Sequence, residues 1–420
     1  MTIFLGICFI LPRPAFAQTE NWTFFRGSNL NGIAEKENIP LSWDSTVIKW
    51  KTMIHGKGYS SPVVYGDQVW ITTATPDGKE LYAVCVDYNS GRIIHDVKVF
   101  SPEQVEGKHT LNTYASPTPC IEKGYVYVHY GSLGTACLNT ASGAVVWKRT
   151  DLKCKHVQGP ASSPILYKNL LILHYEGTDV RFIIALDKST GKTMWKVDRP
   201  AEPYIPLPEI GRKAYITPII INVRGQDMLI SNGSAVCIAY DPETGREIWR
   251  VVDGAESTIA MPVTENGLLY WYTGFTEDSN GKSTEFIAVN PDGEGNITGT
   301  NILWRKKEKL SRNQCLTPVI KDGLIYTVNT INTMMCIDAG NGSEVWSTHV
   351  PSNWDASPLY INGNVWFFSV KGDVITLKAG RKYEVIARNK MDSGIWATPA
   401  VLRNSVILRT EKYLCRISGN

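Results

Sequence analysis

Asp187-Lys-Ser-Thr-Gly191-Lys-Thr-Met-Trp195 closes one apolar run and opens the next. The same phrase, Asp, three residues, Gly, three residues, Trp, returns at Asp241, Gly245 and Trp249 and at Asp338, Gly342 and Trp346. Weaker copies keep its register at Asn139, Gly143 and Trp147, at Asp87, Gly91 and His95, and at Lys378 and Ile386. A repeat of roughly 40 to 55 residues made of strands and turns is a propeller signature, because each unit is a small sheet that cannot bury both faces alone. The phrase has a local logic. Asp bonds its own downstream backbone, Gly supplies a positive φ for the hairpin between strands three and four, and Trp offers a large apolar face to the neighbouring blade. These residues are architecture, not chemistry.

A second repeat sets the blade number. Units open with a small, polar or Met residue, then Pro and an apolar run, at Ser61-Pro62, Ser116-Pro117, Ser163-Pro164, Thr217-Pro218, Met261-Pro262, Thr317-Pro318, Ser357-Pro358 and Thr398-Pro399. Proline cannot donate to a ladder, so it belongs at the start of the innermost strand, beside a central channel. The last unit supplies three strands and stops, whereas Thr46 to Lys51, Trp50 included, reads as an isolated fourth strand. Pairing the two ends removes the free edges of an open ring. The sequence therefore predicts an all-β fold: an eight-bladed β-propeller of four-stranded antiparallel blades, its ring closed by an N-terminal strand.

The 420 residues are 43% hydrophobic and 20% charged, and a chain of that length remains one domain if it grows by adding blades. Net charge is +3 with no basic stripe, which argues against a nucleic-acid partner. Ile3 to Leu11 is apolar but too short to span a bilayer, and Ala15-Phe16-Ala17 is a cleavage signal. The expected organisation is a signal peptide at 1–17, an N-terminal arm at 18–45 and a single propeller at 46–420. That implies a periplasmic or secreted protein with no transmembrane segment. Cys85, Cys137 and Cys336 occupy equivalent third strands, which a radial fold keeps too far apart to bridge, so the cysteines read mainly as small buried hydrophobes.

Ala185 to Trp195 resembles the repeat of pyrroloquinoline-quinone (PQQ)-type propellers, and the resemblance covers nearly the whole mature chain. Trp22-Thr-Phe-Phe-Arg26-Gly27, Gly58-Tyr-Ser-Ser-Pro62 and Gly159-Pro-Ala-Ser-Ser-Pro164 are similar to an exported bacterial subgroup. The wider family includes quinoprotein alcohol dehydrogenases and the non-catalytic lipoprotein of the outer-membrane barrel-assembly machine. The adjacent cysteine pair of many such dehydrogenases and the Cys-x-x-Cys-His of haem-bearing relatives have no counterpart here, nor does the assembly lipoprotein's clear lipidated Cys. No catalytic residue carries over, and no metal ligand is assigned.

Topology locates the site. The links from each fourth strand to the next first strand lie on one face, and the Asp-to-Gly hairpins lie on the other. The long links, Ser101 to Thr113, Thr150 to Pro160, Asp198 to Ala214 and Lys306 to Asn313, converge on one channel mouth, where ligand sites are expected. The candidate ligand-binding residues there are His109, Asn112, Tyr114, His156, Arg212, Glu256, Arg312, Asn313, Trp354 and Asp355, with Gln158, Tyr215 and Trp396 nearby. Two function classes follow. One is a binding or assembly module that holds a protein, peptide or glycan on this face. The other, implied by the resemblance, is a PQQ- and calcium-dependent dehydrogenase of alcohols or polyols. In it Arg212 and Arg312 would meet carboxylates, Trp354 or Trp396 would stack, and Glu256, Asn313 or Asp355 would ligate calcium. The residues themselves commit to no cofactor.

Overall fold

Every apolar–turn–apolar unit folds into a four-stranded antiparallel sheet, and eight such sheets form an eight-bladed β-propeller. The computed structural model describes residues 20–279, 281–312 and 314–419; the expected signal peptide lies outside them. Blades 1 to 8 begin with the inner strands Val63–Tyr65, Cys120–Glu122, Ile165–Tyr167, Ile219–Val223, Val263–Glu265, Val319–Lys321, Leu359–Ile361 and Ala400–Leu402. Blade 3 typifies them: Ile165–Tyr167, Leu170–Glu176, Arg181–Asp187 and Thr193–Asp198 pair in sequence order. Blade 5 is longer, because the hairpin Thr276–Asp278 to Gly281–Val289 rises above the connection face.

The repeated phrase is a clasp between blades. Asp187 Oδ1 accepts the Ser189 and Thr190 N–H groups, Asn139 and Asp241 likewise accept two downstream N–H groups, and Asp87 and Asp338 accept one each. In four of the outer strands a Trp then donates its indole N–H to the turn of the next blade. Trp147 bonds the Lys188 carbonyl, Trp195 that of Pro242, Trp304 that of Ala339 and Trp346 that of Gly380. His95 stands in for Trp between blades 1 and 2, against the Thr140 carbonyl. The glycine serves twice. Gly191 has φ +72°, and a Cβ there would lie 2.7 Å from the Trp147 ring, so no other residue fits both the turn and the clasp.

Ring closure occurs as the sequence implies, through Ile48–Met53 on Tyr413–Ser418, with Trp50 facing Arg416 and Thr52 facing Leu414. Trp50 then clasps blade 1, donating to the Tyr88 carbonyl and packing on Gly91. One hydrophobic cluster runs through this seam, joining Trp22, Ala34, Ile39 and Trp50 of the N-terminal segment to Val69, Val84, Leu359, Val401 and Leu414.

A second set of bonds circles the bore at the residue before each inner-strand proline. The backbone N–H of Ser61 donates to Thr118 Oγ1 (2.9 Å), Thr118 to Ser163 Oγ (3.0 Å) and Ser163 to Thr217 Oγ1 (3.1 Å). Met261 donates to Thr317 Oγ1 (3.1 Å), Thr317 to Ser357 Oγ (2.9 Å) and Ser357 to Thr398 Oγ1 (2.9 Å). This girdle corrects one register: blade 2 opens at Thr118-Pro119, not Ser116-Pro117, and Ser116 instead bonds Asn112 and Thr113 in the preceding link.

The N-terminal arm is inside the propeller. Trp22 pairs with Val64 of blade 1, and the Thr23 carbonyl accepts from Ile121 of blade 2. Phe24 packs with blades 2 and 3, and Phe25 with the cluster of blades 4 and 5. Ile33–Ala34 runs parallel to Tyr360 and Ile361 of blade 7. The turn is held by Arg26, fully buried, whose guanidinium donates to the carbonyls of Asn31 (3.0 Å), Thr317 (2.8 Å), Pro318 (2.8 Å) and Pro358 (3.3 Å). These are carbonyls and not carboxylates, so burial lowers the Arg26 pKa to about 9.

Two outcomes test this architecture. Trp249 is fully buried, so Trp249→Ala should lower the unfolding free energy by about 3–5 kcal/mol in a urea titration; an unchanged midpoint would contradict the packing described. Deleting residues 20–53 should bare the outer edge of blade 8 and empty the bore. Aggregation, or a melting temperature lower by more than about 5 °C, is expected.

Candidate functional site

The arm plugs the bore only part-way. On the connection-face side a cup of about 390 Å³ remains, and Phe25 of the arm contributes to its lining. The girdle residues Ser61, Thr118, Ser163, Thr217, Met261, Thr317, Ser357 and Thr398 form its collar. Tyr59 and Trp396 stack face to face on one side, with centroids 4.7 Å apart and planes within 4°. The Trp396 indole N–H is anchored by Glu411 Oε1 at 3.1 Å. Burial, with Glu411 and Asp355 adding to it, raises the Tyr59 phenol to about 12, so it is a neutral hydroxyl at working pH.

Of the residues the sequence singled out, His109, Asn112, Arg312 and Asp355 line this cup, as do Gln158, Tyr215 and Trp396. Arg312 Nη2 donates to Asp355 Oδ1 at 2.5 Å and Nη1 to Cys315 Sγ at 3.2 Å. Burial would lower the Arg312 pKa, but Cys315 and Asp355 outweigh it and hold the cation. Asn112 shapes the wall: its side-chain amide donates to the Gln158 and Pro160 carbonyls, and its Oδ1 accepts from Thr113 N–H and Ser116 O–H. His109 turns the same link, accepting the Leu111 N–H at Nδ1. The long hairpin of blade 5 brings Lys282 to the mouth.

The other candidates lie elsewhere. Tyr114 is buried between blades 1 and 2, with its hydroxyl on the Glu106 carbonyl. Trp354 is buried between blades 6 and 7 and donates to Val350. Arg212 is absorbed by its own loop, through the Leu207 and Ile205 carbonyls. Glu256 is tied by its backbone to Phe275 and sits against Gly211. Asn313 lies outside the described residues. His156 faces a neighbouring cleft and contacts buried Cys154, with Sγ 3.4 Å from Nε2. Burial pushes the Cys154 thiol well above its usual range and lowers His156 to about 4, so this pair is neutral and not an activated nucleophile.

Sequence reasoning missed the cup's collar and its plug. The hydroxyl repeatedly carried by the residue before the proline is the signal for the collar. Blades 3 and 4 also share an unforeseen buried network. Arg199 reaches Tyr204 Oη, Ser231 Oγ and Glu176, and His174 bridges Ser231 and Glu176. Burial would raise the Glu176 pKa, but Arg199 and His174 hold it below its ordinary value.

The family model described as outer membrane protein assembly factor BamB matches residues 37–179, 179–294 and 288–382, and the chain belongs to this family of PQQ-type propellers. A curated relative, the quinohemoprotein alcohol dehydrogenase ADH-IIG of Pseudomonas putida, is 23% identical over 269 residues, or 59% of this chain. The chain spans only 34% of that relative's length. Among solved structures, BamB from Moraxella catarrhalis superposes with a TM-score of 0.60 at 12% identity, covering 88% of this chain and 99% of that one. Quinohemoprotein alcohol dehydrogenase from Comamonas testosteroni superposes with a TM-score of 0.68 at 12% identity, covering 96% and 82%. At such identities the likeness is one of fold.

PQQ, which the fold family implies, meets few matching charges in this cup. It is a flat tricarboxylate that is bound with calcium. Of the cup's cations, Arg312 is already bonded to Asp355, and Lys282 stands at the rim. Among the described residues no group of three or more His, Cys, Asp and Glu side chains could hold a metal ion. No helix among them is long and apolar enough to cross a membrane.

The buried histidines predict a pH dependence. Burial lowers His129 to about 3, His156 to about 4, and His174 below its usual value. Each is neutral in the native state and protonates more readily once unfolded. The stability they lend is complete above about pH 6.5 and is lost as pH falls toward their native values, by up to about 1.4 kcal/mol per pH unit for each. Urea midpoints measured from pH 7 to 5 should therefore fall steeply, and a flat profile would contradict the burial.

Proposed function

We propose that this chain is an exported binding or assembly module that receives its ligand in the connection-face cup and performs no redox chemistry of its own. The observation that carries this reading is the cup's donor set. A collar of neutral hydroxyls, an aromatic pair and one internally satisfied Arg–Asp pair can hold and orient a ligand. The Arg312–Asp355 pair is closed on itself, and most of the remaining lining is neutral. Export rests on the apolar leader and Ala15-Phe16-Ala17, with the mature chain beginning at Gln18 in the periplasm or outside the cell. Partners of protein, peptide or glycan chemistry all suit a loop-rich mouth.

The dehydrogenase reading draws support from the curated relative, whose name is that of a quinohemoprotein alcohol dehydrogenase. A single titration separates the two. Purified protein is mixed with PQQ and calcium, and its absorption spectrum and dye reduction with a series of primary alcohols are followed. The module reading expects an unchanged quinone spectrum and no dye reduction above the protein-free blank. Saturable, PQQ-dependent dye reduction would overturn it.

A further inference from the structure

The collar's chemistry is more specific than polarity alone. A hydroxyl has one donor and two acceptor lone pairs. In Thr118, Ser163, Thr217, Thr317, Ser357 and Thr398 one lone pair is spent on the N–H of the preceding blade. Among the described residues none of these six O–H groups has a protein acceptor, although all six side chains are at least nine-tenths buried and line the cup. Each therefore keeps one donor and one lone pair uncommitted at the wall of the cup. Polar groups so enclosed are costly unless a bonding partner fills the space.

The ligand that matches such a collar must itself both donate and accept around its edge. A carboxylate or phosphate only accepts, and would leave the collar's lone pairs facing its charge. Charge points the same way, because Arg312 is neutralised by Asp355 within the cup and Lys282 pairs with Glu277 at 3.9 Å. The apolar lining, Phe25, Ile259 and Met261 together with the Tyr59–Trp396 stack, suits a body with C–H faces. Its volume of about 390 Å³ is at the small end of the usual ligand-pocket range of roughly 300–1,000 Å³. We infer that the cup is a binding site for a neutral pyranose, its hydroxyl edge against the Ser/Thr collar and a C–H face against the aromatic and apolar lining. This names the ligand class of the module proposed above and rests on that reading.

The test is calorimetric titration of the full mature chain with glucose, galactose and methyl glucoside, with Trp fluorescence as a second readout and gluconate as the charged control. Saturable binding of a neutral sugar and none of gluconate is expected. Methyl glucoside binding as well as glucose would point to the end of a glycan, and binding of free sugar alone would point to a monosaccharide; both support the site. Ser61 lines the cup, and its hydroxyl accepts none of the six girdle bonds, so Ser61→Ala leaves the collar's structure in place. It should weaken binding about fivefold, the size of one neutral hydrogen bond, at an unchanged melting temperature. Lys188→Ala on the hairpin face should bind as the parent does. The inference is overturned if no neutral sugar binds and the collar holds water alone, if gluconate binds in preference, or if Ser61→Ala binds undiminished. Failure here with a silent PQQ titration removes the sugar and leaves the module; PQQ-dependent dye reduction removes the module itself.

Discussion

A propeller blade has two apolar faces and no partner for either except the next blade, so nothing in this molecule is stable until the ring is closed. The chain meets that constraint at two radii. At the rim, an indole N–H reaches across to the carbonyl after the next blade's Asp and lies on its Gly, as Trp147 does on Lys188 and Gly191. At the axis, the N–H before the proline is handed to the next blade's hydroxyl in six of the eight blades. Both devices are missing at the seam between blades 4 and 5; among the described residues the girdle also lacks a bond from Thr398 to Ser61, and the outer strand of blade 7 carries no Trp. Met261 has no hydroxyl there for Thr217, and the Trp249 indole N–H finds no acceptor among the described residues. A short parallel strand, Gly295–Asn296, covers that seam by pairing with Trp249 and Arg250.

The site is a consequence of closure. The bonds that hold the inner strands at fixed spacing are made by side chains at the wall of the bore, so the structural collar and the ligand collar are the same residues. The arm that supplies the missing outer strand of blade 8 first loops through the bore, and Arg26 ties its turn to blades 6 and 7. One N-terminal segment thus closes the ring and plugs the channel beneath the cup. Gly32, at φ +74°, is part of that device, since a Cβ there would lie 2.7 Å from the Arg26 guanidinium.

The fold was legible because its determinants are local and repeated. Asp187, Gly191 and Trp195 specify a turn and a clasp within nine residues, and a unit short of one strand announces its own completion by Trp50. The cup was legible in part. Its face followed from the order of strands, and His109, Asn112, Arg312 and Asp355 sit on links that must end at the mouth. Tyr114, His156, Arg212, Glu256 and Trp354 come from links on the same face, yet their side chains turn into blade seams, a neighbouring cleft, their own loop or an adjacent link. That choice is made by packing partners distant in sequence: Phe100 and Tyr130 in the cluster around Tyr114, and Phe367 beside Trp354. The arm was opaque for a related reason. Trp22 to Arg26 has no periodicity of its own, and its partners are the carbonyls and inner strands of blades lying up to some hundreds of residues away.

Native-state hydrogen exchange tests the closure account most directly. The account predicts that the ladder amides of Ile48–Met53, although they belong to a terminal segment, exchange as slowly as those of Tyr413–Ser418 and as the girdle amides of Ser61, Thr118 and Ser357, all opening together on global unfolding. Exchange of the Ile48–Met53 amides on the fast scale of a frayed terminus, while the girdle amides stay protected, would contradict it.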